Sequence, residues 1–239
     1  MTAIPGPAFP RAETGDGMIT QINGWYVQTY DNPVIREIRF RPDSSAVCRV
    51  EVYLQDGSRC CFQTPFSAVS AARTGIPISE DGALLYIWDS ERGNGLRALD
   101  SRTGRQVWRM PAEKVRAVFA FADCGVALRC GEALLKFNLR TGETLASLKS
   151  SAAHAFRVDG DRILTASEDR LELVRVSAFT REAEYSAEQF NPNRCLCVRI
   201  REALPELDRI VISGVEQYPN ETYSRRDNAW VEFTRYLPV

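Results

Sequence analysis

The chain has one histidine, His154, in 239 residues. A Ser-His-acid triad or a His-assisted cysteine nucleophile would have to be built on that single side chain. Two cysteines spaced as C-x2-C are also missing, and a zinc site needs such pairs or a histidine pair. The seven cysteines, at 48, 60, 61, 124, 130, 195 and 197, are odd in number and follow no disulfide framework spacing. Most sit among strand-forming residues, where a free thiol behaves as a small apolar side chain. No apolar run approaches the roughly 20 residues that span a bilayer. A formal net charge of −1 gives no electrostatic reason to expect nucleic acid or an anionic membrane. Met1 to Pro10 lacks a basic segment followed by an apolar one, so a cytoplasmic location is expected.

What the chain does contain is a recurring phrase. Leu96-Arg97-Ala98-Leu99-Asp100-Ser101-Arg102-Thr103-Gly104-Arg105-Gln106-Val107-Trp108 reads as strand, tight turn and strand. It returns at Leu134 to Ala146, around Arg140-Thr141-Gly142, and more loosely at Leu173 to Arg181. A hairpin repeating about every 40 residues is the mark of a β-propeller blade array. Gly104 and Gly142 supply the positive φ that such a turn requires. Acidic turns at Asp81-Gly82, Asp123-Cys124-Gly125 and Asp159-Gly160 mark the same period independently.

The residues Ala98, Asp100, Thr103, Gly104 and Trp108 are spaced as A-x-D-x-x-T-G-x-x-x-W. This resembles the signature of pyrroloquinoline-quinone-type propellers. The second copy keeps Thr141 and Gly142 but carries Asn138 and Ala146 where that signature has acid and tryptophan, and the third keeps only Thr180. The resemblance covers about residues 96–181. It implies a turn at Thr-Gly between two outer strands and a tryptophan docked on the neighbouring blade. Quinoprotein dehydrogenases of this fold place adjacent cysteines near their cofactor, and Cys60-Cys61 is such a pair. No Glu/Asn/Asp calcium set maps onto matching positions, so neither cofactor nor metal is expected. The dipeptide Trp88-Asp89 is similar to that of WD-repeat propellers, without the recurring Gly-His upstream.

These readings give an all-β fold, a propeller of about five four-stranded blades. Residues 1–17 form a loose arm, and the blades fall at about 18–66, 67–111, 112–150, 151–190 and 191–239. The last unit offers three strands, around Cys195–Ile200, Arg209–Gly214 and Trp230–Tyr236. Ring closure therefore calls for a strand from 18–30, or for a second molecule or partner.

No constellation stands out as an active site, since Glu80-Asp81 and Glu168-Asp169 read as turn residues. The expected function is a non-catalytic scaffold for protein–protein interaction, with a homo-oligomer as one way to close the ring. Carboxylates gathered around a central channel, as in a hydrolase or lyase, are the enzymatic alternative. Candidate partner contacts are Trp25 and Tyr26 near the arm, and Tyr218, Tyr223, Arg225, Arg226 and Trp230 around a polar loop.

Overall fold

The computed structural model describes residues 13–14, 17–44, 47–66, 68–89, 95–168, 170–192, 197–206, 209–218 and 229–238. It contains five antiparallel sheets in chain order, each joining strands consecutive in sequence. The first has six strands: β1 Glu13–Thr14, β2 Gly17–Ile22, β3 Trp25–Thr29, β4 Ile35–Pro42, β5 Cys48–Leu54 and β6 Arg59–Thr64. After helix α1, Ala68–Thr74, the second sheet holds β7 Leu84–Asp89, β8 Gly95–Asp100 and β9 Gln106–Met110. The third is β10 Val115–Ala120, β11 Gly125–Arg129, β12 Ala133–Phe137 and β13 Thr144–Lys149. The fourth is β14 His154–Arg157, β15 Arg162–Ala166, β16 Arg170–Arg175 and β17 Thr180–Ser186, followed by α2 Ala187–Phe190. The fifth is β18 Cys197–Pro205, β19 Arg209–Tyr218 and β20 Ala229–Pro238.

Two of the five sheets have the four strands expected of a blade, and the departures have local causes. In the second sheet the inner strand is reduced to a bridge between Ile78 and Leu85. Pro77 has no N–H to give a ladder, although its carbonyl accepts from the Tyr86 amide at 2.9 Å. In the first sheet, positive φ at Asn23 and Gly24 folds β2 back on β3. The segment expected to complete the last blade is therefore held in the first sheet. Among the described residues no strand is exchanged between the chain's two ends. Helix α1 was not foreseen. Its Ala-Val-Ser-Ala-Ala-Arg-Thr run suits a helix, and Gly75, at φ +79°, ends it with an amide donated to the Ala71 carbonyl.

The sheets stack face to face in series. Leu85, Ile87 and Leu99 of the second sheet pack with Ile38, Phe40, Val50 and Val52 of the first. The alternate residues Leu84, Tyr86, Trp88 and Ala98 pack with Val118, Ala127 and Phe137 of the third. Phe119, Val126 and Leu128 turn to the fourth sheet, meeting Ile163 and Val174. Leu164, Leu171 and Tyr185 meet Ile210, Ile212 and Leu237 of the fifth. Period-two alternation thus buries both faces of the inner strands of the three middle sheets, while the outer strands β9, β13 and β17 remain largely exposed. Among the described residues, no core cluster joins the fifth sheet to the first. The described sheets follow one another as an arc.

One contact recurs between neighbours. An aromatic on the outer strand of one sheet lies beneath the tight turn of the next. The Trp108 indole donates from Nε1 to the Leu139 carbonyl at 2.9 Å, and the Tyr86 hydroxyl donates to the same carbonyl at 3.3 Å. Gly142, at φ +72°, leaves room for the ring, since a Cβ there would stand 2.5 Å from a Trp108 carbon. Gly104, at φ +68°, sits over Phe62 of β6 in the same way, with a Cβ at 2.4 Å from that ring. At the next interface Ala146 replaces the aromatic, and Phe179, at φ +53° in the following turn, packs into the shared cluster instead.

This clasp makes a stability prediction. Trp108→Ala should cost about 3–5 kcal/mol, and Gly142→Ala should cost about 1–3 kcal/mol or more from the positive φ and the steric clash. Urea denaturation of the two single variants and the double variant checks this. Coupling between the sites, rather than simple addition, is the expected result.

Candidate interaction surface

The signature residues form one local unit. Asp100 Oδ1 accepts from the Thr103 hydroxyl at 2.6 Å and from the amides of Thr103 at 2.8 Å and Arg102 at 3.2 Å. Asn138 repeats the geometry, accepting from the amides of Arg140 at 2.8 Å and Thr141 at 3.1 Å. An acceptor oxygen is all the turn requires, which is why Asn can stand for Asp. Ala98 and Trp108 are buried in the cluster between the second and third sheets. These residues are consumed in holding sheets together.

The first and fifth sheets each have a face with no neighbouring sheet among the described residues. On the first, cross-strand register puts Trp25 and Val27 on the same side as Arg39 and Arg41 of β4, Arg49, Glu51 and Tyr53 of β5, and Arg59 and Cys61 of β6. The side is paved by its own charges. Glu37 pairs with Arg39, and Glu51 lies 3.5 Å from Arg49 while accepting the Tyr53 hydroxyl at 2.8 Å. The Arg39 guanidinium stands 4.7 Å from the Tyr53 ring centre, and Arg41 stands 4.5 Å from that of Trp25. Tyr26 points to the other side, stacked on Phe40 with ring centres 5.3 Å apart. Of the adjacent pair, both partly buried, Trp25 faces outward and Tyr26 packs against the core.

The fifth sheet differs. Leu204 and Tyr236 lie on the side away from the fourth sheet and are 43% and 57% exposed, flanking Val211. Arg209 covers the Tyr236 ring from 4.4 Å. Among the described residues β20 is paired only with β19, so its other edge is open over ten residues. Tyr218 and Trp230 are placed by backbone at one end of this sheet, where Gln217 pairs with Trp230 and Tyr218 with Ala229. Tyr223, Arg225 and Arg226 lie outside the described residues.

Of the turn carboxylates, Asp169 lies outside the described residues. Glu80, Asp81 and Asp123 line a cleft of about 530 Å³ between the second and third sheets, with Ser79, Tyr86, Asn138 and Arg140. Asp81 is fully engaged: Oδ1 accepts from the Ser79 hydroxyl at 2.6 Å and the Ala83 amide at 3.1 Å, and Oδ2 accepts from Arg140 at 3.0 Å. The Ser79 hydrogen bond, then that of Ala83, holds its carboxyl below the usual range, so it is poorly suited to donate a proton. Burial pushes the Tyr86 phenol up. His154 opens β14 on the surface. Cys60 faces the core between the first two sheets, and Cys61 faces outward. Among the described residues no three His, Cys, Asp or Glu side chains are grouped to hold a metal, and no helix is long and apolar enough to cross a membrane.

No family model and no curated protein sequence matches the chain. In structure the chain is similar to the crystal structure of BamB from Moraxella catarrhalis, with a TM-score of 0.52 and 15% identity over 85% of this chain. The fold is β-propeller-like. The chain spans 56% of the length of that protein's chain.

The turn carboxylates give the structure a pH dependence. The Thr103 hydroxyl holds the Asp100 carboxyl below the usual range, as Ser79 does for Asp81. Each pKa is lower folded than unfolded, so each group adds stability above about pH 4, and that stability is lost as pH falls through the folded values. Melting temperature should fall below about pH 4, and Asp100→Asn with Asp81→Asn should flatten that fall. Thermal melts from pH 7 downward check it.

Proposed function

We propose that this chain is a non-catalytic cytoplasmic scaffold whose propeller-like arc mediates protein–protein interaction. The observation that carries the reading is the fifth sheet. Among the described residues it has three strands, a ten-residue edge on β20 without a paired strand, and an outward side bearing Leu204, Val211 and Tyr236. A long unpaired edge beside exposed apolar side chains is suited to take an added strand from a partner. The middle sheets, whose inner strands are buried on both faces, hold that edge rigid. The similarity to BamB supports the propeller architecture of the scaffold and supplies no partner.

A second reading rests on the same open ends: a partial ring completed by another copy of the chain. Solution mass by light scattering separates the two. A mass near 26.9 kDa accords with a hetero-partner, and twice that value accords with completion by a copy. In either case Tyr236→Lys with Val231→Lys, at two exposed positions of β20, should abolish the complex while leaving the melting temperature within a few degrees. A monomer that retains no protein in a pull-down, or a complex indifferent to the lysines, would overturn the scaffold reading.

A further inference from the structure

The charged side of the first sheet contains an imbalance that its own residues do not correct. Arg41 of β4 and Arg49 of β5 are direct cross-strand partners, and like charges placed opposite one another destabilise a sheet. Arg49 has Glu51 at 3.5 Å, in ion-pair range but without a hydrogen bond from its Nε. Arg41 forms no ion pair among the described residues, and its Nε is buried with no acceptor. Leaving such a donor unmet is destabilising. The nearby carboxylates are already used: Glu37 by Arg39, Glu51 by Tyr53 and Arg49, and Asp43 by the amide of Gln63. Trp25 meanwhile holds the Arg41 guanidinium against its ring, fixing its position before any ligand arrives.

We propose that Arg41, Arg49 and Trp25 form a binding site for an acidic segment of a protein partner. One Asp or Glu carboxylate between the two guanidiniums accepts from both and cancels the repulsion across the strands. Arg36, Arg39 and Arg59 lie on the same side around Tyr53 and extend the positive surface. Glu37 and Glu51, interspersed among them, oppose the unbroken charge of a nucleic-acid backbone and leave room for separate carboxylates along a peptide. The site lies at the opposite end of the arc from β20 and does not depend on the contact proposed there.

The test uses the full chain and fluorescein-labelled hexaglutamate, followed by fluorescence anisotropy in low salt. Saturable binding is expected, weakening as salt rises. Arg41→Gln with Arg49→Gln should weaken it by roughly tenfold or more, and Arg41→Lys should fall between that variant and wild type. Arg116→Gln, at an exposed position on the third sheet, should leave binding unchanged. Labelled hexalysine should not bind. Thermal melts of each variant confirm that the sheet is intact, and removing Arg41 should not lower the melting temperature, because it relieves the repulsion. Absence of saturable hexaglutamate binding, equal binding by the double glutamine variant, or displacement by millimolar inorganic phosphate at matched ionic strength would each overturn the proposal.

Discussion

The architecture depends on an aromatic side chain lodged beneath a tight turn of the next sheet. Trp108 under Gly142 and Phe62 under Gly104 are two instances, and both turns need a residue with positive φ and no Cβ. The two requirements are linked, because the backbone bends sharply enough to make the turn only where it also leaves space for the ring. Around this contact the sheets align face to face, and alternate residues of each middle strand go to opposite cores. Tyr86 joins Trp108 on the Leu139 carbonyl, so a buried polar acceptor fixes the spacing between the second and third sheets that apolar packing alone would leave free to slide.

An open stack has a cost at its ends, where a sheet face is left without a neighbour. The two ends of this arc meet it differently. The first sheet lengthens to six strands and lays guanidiniums over Trp25 and Tyr53, so that Val27 and Glu51 are buried by the side chains of their own face. That is the polar cap expected of a terminal unit in a repeat stack. The fifth sheet has three strands among the described residues and leaves leucine and tyrosine exposed. The contrast motivates the scaffold reading, since an open edge beside apolar residues gains from an added partner strand, whereas the first sheet's face is screened by its own charges except where Arg41 meets Arg49.

Much of the fold was legible because the hairpin chemistry is local. Asp100 with Thr103-Gly104, and Asn138 with Thr141-Gly142, specify their turns within five residues. The surfaces were less legible. Trp25 and Tyr26 are neighbours of similar character, and only the pairing of β3 with β4 sends one outward and the other onto Phe40. Phe62 carries no signature of its own, and its role becomes visible only when Gly104 is found above it. The opposition of Arg41 and Arg49 is a matter of register across a turn, although two arginines at alternating positions in adjacent strands were a signal that could have been weighed.

The sequence alone determined the repeating hairpins, their spacing of about 40 residues and the all-β character, because those follow from side-chain alternation and the conformational freedom of glycine at particular positions. Tertiary structure alone decided how many strands each sheet has, that β2 and β3 stay with the first sheet, and which faces have no neighbour. Strand pairing is a long-range choice made by hydrogen-bond register and by which apolar face finds a partner. A strand carries the same alternation whether it ends a sheet, caps an arc or closes a ring.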